Sequence, residues 1–189
     1  MLPMPGWNDD AQWTGWIPFD SLPQSFNPEQ GYIATANNKV IPDDYPYMVG
    51  NDWAEPFRAQ RIVELIEEMS SNGETISLED MVAIQADQAS AQVRTLLPFL
   101  LQTEAANDRQ RTALALLSRW DGVSTRTSAA QAIYAAWSAA FYHGMVGDDL
   151  GGELYETFMA RFDPVFVQNV INDEALAFVW CDNVQTPQH

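Results

Sequence analysis

Eight of the eleven prolines and four of the seven tryptophans stand at or before Pro56, and that imbalance divides the chain into two regions governed by different physics. Proline fixes φ and removes a backbone donor, so long helices are disfavoured in the first region and loops with short strands are expected there. The clearest strand candidate runs over residues 31–37, from Gly31 to Asn37, bounded by Pro28 upstream and a turn region from Pro42 to Pro46 downstream. In an extended chain Ile33, Thr35 and Asn37 share one face.

Beyond Glu55 the spacing becomes helical. Ile62, Val63, Ile66 and Met69 form an apolar stripe, Glu64, Glu67 and Glu68 fall largely elsewhere on the wheel, and Gly73 ends the segment. Ser77 and Asp80 resemble a capping box that opens a helix through Met81, Val82, Ile84, Ala89 and Val93, with a kink or restart expected at Pro98. A third helix is predicted from about Asp108 to Arg119, with Leu114 and Leu117 inward and Gly122 as its stop. A fourth starts at Ser128 and is alanine-rich through Tyr142. A shorter helix follows near Glu153 to Arg161, and another after Pro164 leads to the apolar stretch from Leu176 to Trp180. The reading is an arm over residues 1–53 and a helical region over residues 54–189.

Composition narrows the function classes. With 47% hydrophobic and 12% aromatic residues the chain has the apolar side chains to offset conformational entropy, so wholesale disorder is excluded. A formal charge of −17, from 26 acids against 9 bases, repels phosphate, which argues against nucleic acid and against an anionic membrane surface. No apolar run reaches the roughly 18 residues of a spanning helix, and the first six residues lack the pattern of a signal peptide. Cys181 stands alone and is expected to pack rather than react; His143, at the end of an apolar helix, is expected to be structural. Asp148 and Asp149 with Glu153 do not have the spacing of a calcium-binding loop and read as a solvated, glycine-flanked turn. The cluster of Trp7, Trp13, Trp16, Phe19 and Phe26 is expected to bury the arm, with a sugar-binding platform as the other reading.

One constellation carries chemistry. Asn37 and Asn38 close the strand, and after a proline turn Arg58 opens a helix. A fixed carboxamide aims an uncharged N–H at an oxygen that is acquiring negative charge, and an arginine adds positive potential or holds the amide; the same residues also read as ordinary turn chemistry followed by a surface arginine.

The same residues carry a family resemblance. The run from Trp13 through Gly15, Ile17, Pro18 and Phe19 to Pro23, and the run from Asn27, Pro28, Gly31, Tyr32 and Ile33 to Asn37 and Asn38, resemble the penicillin acylase family of N-terminal-nucleophile hydrolases. Asp44, Tyr45 and Pro46, then Arg58, Arg61 and Ile62, the segment ending Trp120, Asp121 and Gly122, and Trp180, Cys181 and Asp182 continue in that family's order. The resemblance implies a mainly α chain with a short β segment, an internal part of the large subunit of an αββα fold. It implies hydrolysis of a small-molecule acyl amide, a β-lactam side chain or an acyl-homoserine lactone, by a serine at the start of the large subunit. That serine is expected to lie outside this chain, which would then be inert without the remaining parts of the small and large subunits. Asn37 maps onto the oxyanion-hole asparagine and Arg58 onto the active-site arginine. No catalytic cofactor is implied; a structural calcium with Asp52 among its ligands is, as is a periplasmic or extracellular location. Apart from the resemblance, the residues leave open a non-catalytic helical module that binds a partner or a glycan.

Overall fold

The computed structural model describes residues 6–10, 12–160 and 164–181. Within them the regular structure is almost wholly helical: α1 (Phe57–Ser70), α2 (Leu78–Ala86), α3 (Ala91–Leu100), α4 (Asp108–Leu117), α5 (Ala129–Val146), α6 (Gly152–Met159), α7 (Pro164–Asn172) and α8 (Glu174–Trp180). The chain divides into two compact units, residues 1–54 and residues 55–189.

Most of the helices begin where a side chain satisfies the orphan amides of the first turn. Ser77 accepts the Asp80 amide at 3.1 Å while the Asp80 carboxylate accepts the Ser77 amide at 2.8 Å, a reciprocal box with aspartate in place of the usual glutamate. Ser90, Asn107 and Ser128 accept the amides of Val93, Gln110 and Gln131, and Asp173 accepts those of Ala175 and Leu176. The expected single helix through Val93 is therefore two. Its restart lies at Ser90, where the cap is, and Pro98 is accommodated in the last turn of α3. The helix expected to reach Arg161 ends at Met159, and Arg161 lies outside the described residues, as do Met1, Asp182 and His189.

The core of the second unit gathers Leu96 and Leu100 from α3, Leu117 from α4, Met145 and Val146 from α5, and Val167 and Val170 from α7. Trp120, Tyr134, Trp137 and Phe141 form an aromatic ladder along one side of it, with successive centroids 5.6, 5.9 and 5.1 Å apart. The Trp120 indole N–H donates to the Val123 carbonyl at 3.0 Å, and burial pushes the Tyr134 hydroxyl up to about 12. Cys181, expected to pack, is exposed at the cap position of α8, beyond the helix's last turn.

A charged clamp ties α1 to the break between α2 and α3. Arg61 donates from Nε and Nη2 to the two oxygens of Asp87 at 2.9 and 2.8 Å and reaches Glu64 at 3.2 Å; Arg94 of α3 meets the same Glu64 carboxylate at 2.5 Å. Asp87 also accepts the Ala89 amide, and Ala89 forms the antiparallel bridge to Val123 that fixes the segment before α3. Glu64, read from the sequence as largely off the packed stripe, is thus half-buried between two guanidinium groups. No helix among the described residues is long and apolar enough to cross a membrane.

Residues 31–37 are not a strand. They lack the ladder partner that the backbone donors and acceptors of a strand require, and among the described residues the one pairing is the isolated Ala89 to Val123 bridge. The period of two survives all the same: Tyr32, Ala34 and Ala36 are at least partly buried, whereas Ile33 and Thr35 are exposed. The arm's rings are likewise not buried. Trp7, Trp16 and Phe26 are 88%, 85% and 96% exposed, and Trp13 meets Trp16 edge-on without covering it.

The Arg61 hydrogen bonds hold the Asp87 carboxyl below its ordinary value of 3.8, and the Arg94 and Arg61 hydrogen bonds hold Glu64 below 4.5. Depressed folded-state values mean that the unfolded chain binds protons first, so the clamp's contribution is whole above those ordinary values and is lost as the pH falls through the lower folded ones. Asp87→Asn is expected to cost about 1–2 kcal/mol at neutral pH, after allowance for partial exposure. The difference from the unsubstituted chain should shrink below pH 4 in urea titrations followed by helical circular dichroism.

Candidate active site

Asn37 stands where the extended segment ends. Its φ of 63° lies in the left-handed region, which a residue with a Cβ enters at a cost and asparagine enters more readily than most. The neighbour supplies the restraint: the Asn38 side-chain oxygen accepts the Ala36 amide at 3.0 Å, and its amide donates to the Lys39 carbonyl at 3.1 Å, so Asn38 straps the backbone on both sides of Asn37. The Asn37 carbonyl in turn accepts the Ala54 amide at 2.8 Å. The two asparagines therefore do different work. Asn38 is spent on the turn, while the exposed Asn37 side chain is carried on a backbone pinned at three points.

Beside this turn in the chain lies an open cleft of about 400 Å³. Pro23, Gln24 and Ser25 line it together with Thr35, Val40, Ile41, Pro42 and Tyr45, and the Tyr45 hydroxyl donates to the Ser21 carbonyl at 2.5 Å, closing the loop over residues 21–45. Lys39 pairs with Asp43 along the same loop.

Asp52 is exposed in the loop before α1. The loop is shaped by Gly50, where a Cβ would meet the Trp53 ring at 3.3 Å, and by the Ala54 bond to Asn37. Calcium takes six to eight oxygens, and among the described residues no group of three or more His, Cys, Asp or Glu side chains is gathered. Asp52 with its described neighbours does not make a calcium site by itself.

Arg58 belongs to the second unit. It is exposed in the first turn of α1, a helix with no acid in that turn. An arginine there adds to the positive end of the helix dipole instead of opposing it, so this end of α1 favours an anion. Asn37 and Asp52 lie in the first unit and are linked through Ala54. The Asn38 strap is the turn chemistry that an Asn-Asn pair signals, whereas the Ala54 bond, which spans 17 residues, had no signal in the sequence.

His143 hydrogen-bonds the Tyr155 hydroxyl at 2.9 Å across α5 and α6, so the histidine among the described residues is engaged with a phenol.

The penicillin amidase family matches this chain over residues 1–189, and the chain belongs to that family. Among its relatives, the penicillin acylase 2 proenzyme of Pseudomonas sp. (strain SE83) is 39% identical over 95 residues, a stretch covering 50% of this chain and 12% of that protein. The acyl-homoserine lactone acylase QuiP of Pseudomonas syringae pv. syringae is 37% identical over 90 residues, 48% of this chain and 10% of the relative. The QuiP of Pseudomonas aeruginosa is 32% identical over 96 residues, 51% of this chain and 11% of the relative.

Two substitutions separate the backbone role of Asn37 from that of its amide. Asn37→Gly is expected to leave the turn intact, because glycine adopts a positive φ freely, whereas Asn37→Val is expected to cost about 1–2 kcal/mol. Hydrogen exchange of the Ala54 amide reads the difference: protection should be kept in the glycine variant and lowered in the valine variant.

Proposed function

We propose that this chain is part of an amidohydrolase that cleaves the acyl amide of a small molecule, a β-lactam side chain or an acyl-homoserine lactone, and that Asn37 donates its side-chain N–H to the oxyanion. The support is the family match over residues 1–189 together with the way Asn38 and Ala54 fix the Asn37 backbone. As the attacked carbonyl becomes tetrahedral its oxygen gains charge, and a donor already held in place stabilises that charge without reorganising. Arg58 adds positive potential from the head of α1. The nucleophile in this reading is the serine that begins the large subunit, with its own α-amino group as base. Asp52 contributes one ligand to a structural calcium whose other ligands come from elsewhere in the enzyme, and the enzyme works in the periplasm or outside the cell.

The chain by itself is then inert, and measurable turnover of a chromogenic acyl anilide by the purified 189-residue protein would overturn that part of the proposal. In the whole enzyme, Asn37→Gly keeps the turn and removes the donor. It is expected to lower kcat by about 10²–10³-fold, on the order of 3 kcal/mol, with KM little changed. An unchanged kcat would remove Asn37 from the oxyanion hole.

The exposed aromatic arm favours a second reading, a non-catalytic module that binds a glycan or a partner through Trp7, Trp13, Trp16 and Phe26. Quenching of tryptophan emission by oligosaccharides, abolished in Trp13→Ala, is what that reading requires.

A further inference from the structure

A second cavity lies wholly within the helical unit, between the end of α3, the loop after it, and the facing sides of α4 and α5. It has a volume of about 180 Å³. Leu100 and Leu117, both almost fully buried, form its floor, and Leu114, Ile133 and Trp137 its walls. Thr103 and Glu104, both exposed, stand at the mouth.

The cavity is held open by its rim. The Thr103 amide bonds the Leu100 carbonyl at 3.0 Å, and the Ala106 amide bonds the Gln110 side-chain oxygen at 2.6 Å. The Asn107 side-chain oxygen accepts the Gln110 amide at 3.0 Å, so Gln110 fastens the loop to the first turn of α4 at two points. These bonds hold the loop at the rim of the cavity.

We propose that this cavity is a binding site for a small organic cation with one apolar ring, an arylalkyl ammonium in its simplest form. Size sets the ring: an apolar cavity of about 150 Å³ accepts benzene, and the volume here leaves room for a short arm beyond it. Charge sets the arm. Glu104 is the one charged residue in the lining, it sits at the open end, and the chain as a whole carries −17, which repels an anionic head group. Trp137, stacked on Phe141, adds apolar ring surface to the wall. The site belongs to the helical unit alone and does not draw on the acylase reading.

The test is an NMR titration of the 189-residue chain, labelled at leucine and isoleucine methyls, with benzylammonium, benzyl alcohol and benzoate. Benzylammonium is expected to shift Leu114, Leu117 and Ile133, with benzyl alcohol weaker by about twofold to fivefold, the range of one partly exposed charge pair, and benzoate weaker still. Glu104→Gln should bring benzylammonium to the affinity of benzyl alcohol and leave the alcohol unchanged. Ala113→Phe fills the cavity from α4 and should abolish the shifts; Ala105→Phe blocks it from the rim loop and leaves α4 unaltered, so a folding failure of the first variant does not decide the matter. Absence of shifts at these methyls, equal binding of the ammonium and the alcohol, or shifts that persist in a folded blocked variant would each overturn the proposal.

Discussion

The helical unit depends on one guanidinium group. α2 and α3 have nine and ten residues and α1 has 14, lengths at which a helix is marginal on its own. Arg61 makes them a unit by gripping Asp87, the residue at which α2 stops, with two parallel hydrogen bonds while Glu64 bridges to Arg94. The geometry suits arginine alone, since a lysine offers one charge centre where the planar fork offers two aligned donors. The Arg61 and Asp87 side chains are only about one-fifth exposed, so that pair is screened less than a surface pair. The clamp holds the segment between α2 and α3 against α1, and the Ala89 to Val123 bridge sets the register of the segment entering α3.

What was legible in the sequence was what is local. The Ser77 and Asp80 box, the Ser128 start and the inward Leu117 could be read because each depends on residues within one or two turns of one another. The Arg61 clamp could not, because its partner is 26 residues away and nothing in a helical wheel distinguishes Asp87 from the other acids of so acidic a chain. Ser90 was missed for a related reason: an unbroken apolar period hid a capping serine, and Pro98 drew the expected break eight residues too late. The segment over residues 31–37 kept its alternation but not its ladder, because alternation belongs to the segment while hydrogen-bond pairing belongs to its neighbours.

The candidate site shows the same division. That Asn37 and Arg58 were worth singling out followed from residue type and order. That the Ala54 amide closes on the Asn37 carbonyl required coordinates. The distinction bears on chemistry, because an oxyanion donor is effective to the extent that its position is fixed before charge develops. A free asparagine side chain loses rotamer freedom when it donates. One mounted on a backbone held by three hydrogen bonds still has its χ angles to order, but it swings from a fixed Cα.

The two units also differ in how their apolar surface is satisfied. In residues 55–189 the large side chains converge on a core in which Val146, Val167 and Val170 are fully buried. In residues 1–54 the rings of Trp7, Trp16, Phe19 and Phe26 and the Ile33 side chain, 61% exposed, face solvent, and Ala36 is the hydrophobic residue buried there among those described. At roughly 25 cal/mol per Å² of apolar surface, rings of this size left in water forgo a stabilisation that a covered arm would have. Tryptophan and phenylalanine repeated within twenty residues of a proline-rich segment are costly unless something covers or uses them. The acylase reading and the binding-module reading both meet that requirement, the first by burial against other parts of the enzyme and the second by a ligand. They differ in what becomes of the cleft lined by Thr35 and Tyr45: a covering subunit would enclose it as a pocket beside Asn37 in the chain, whereas a glycan would need only the rings.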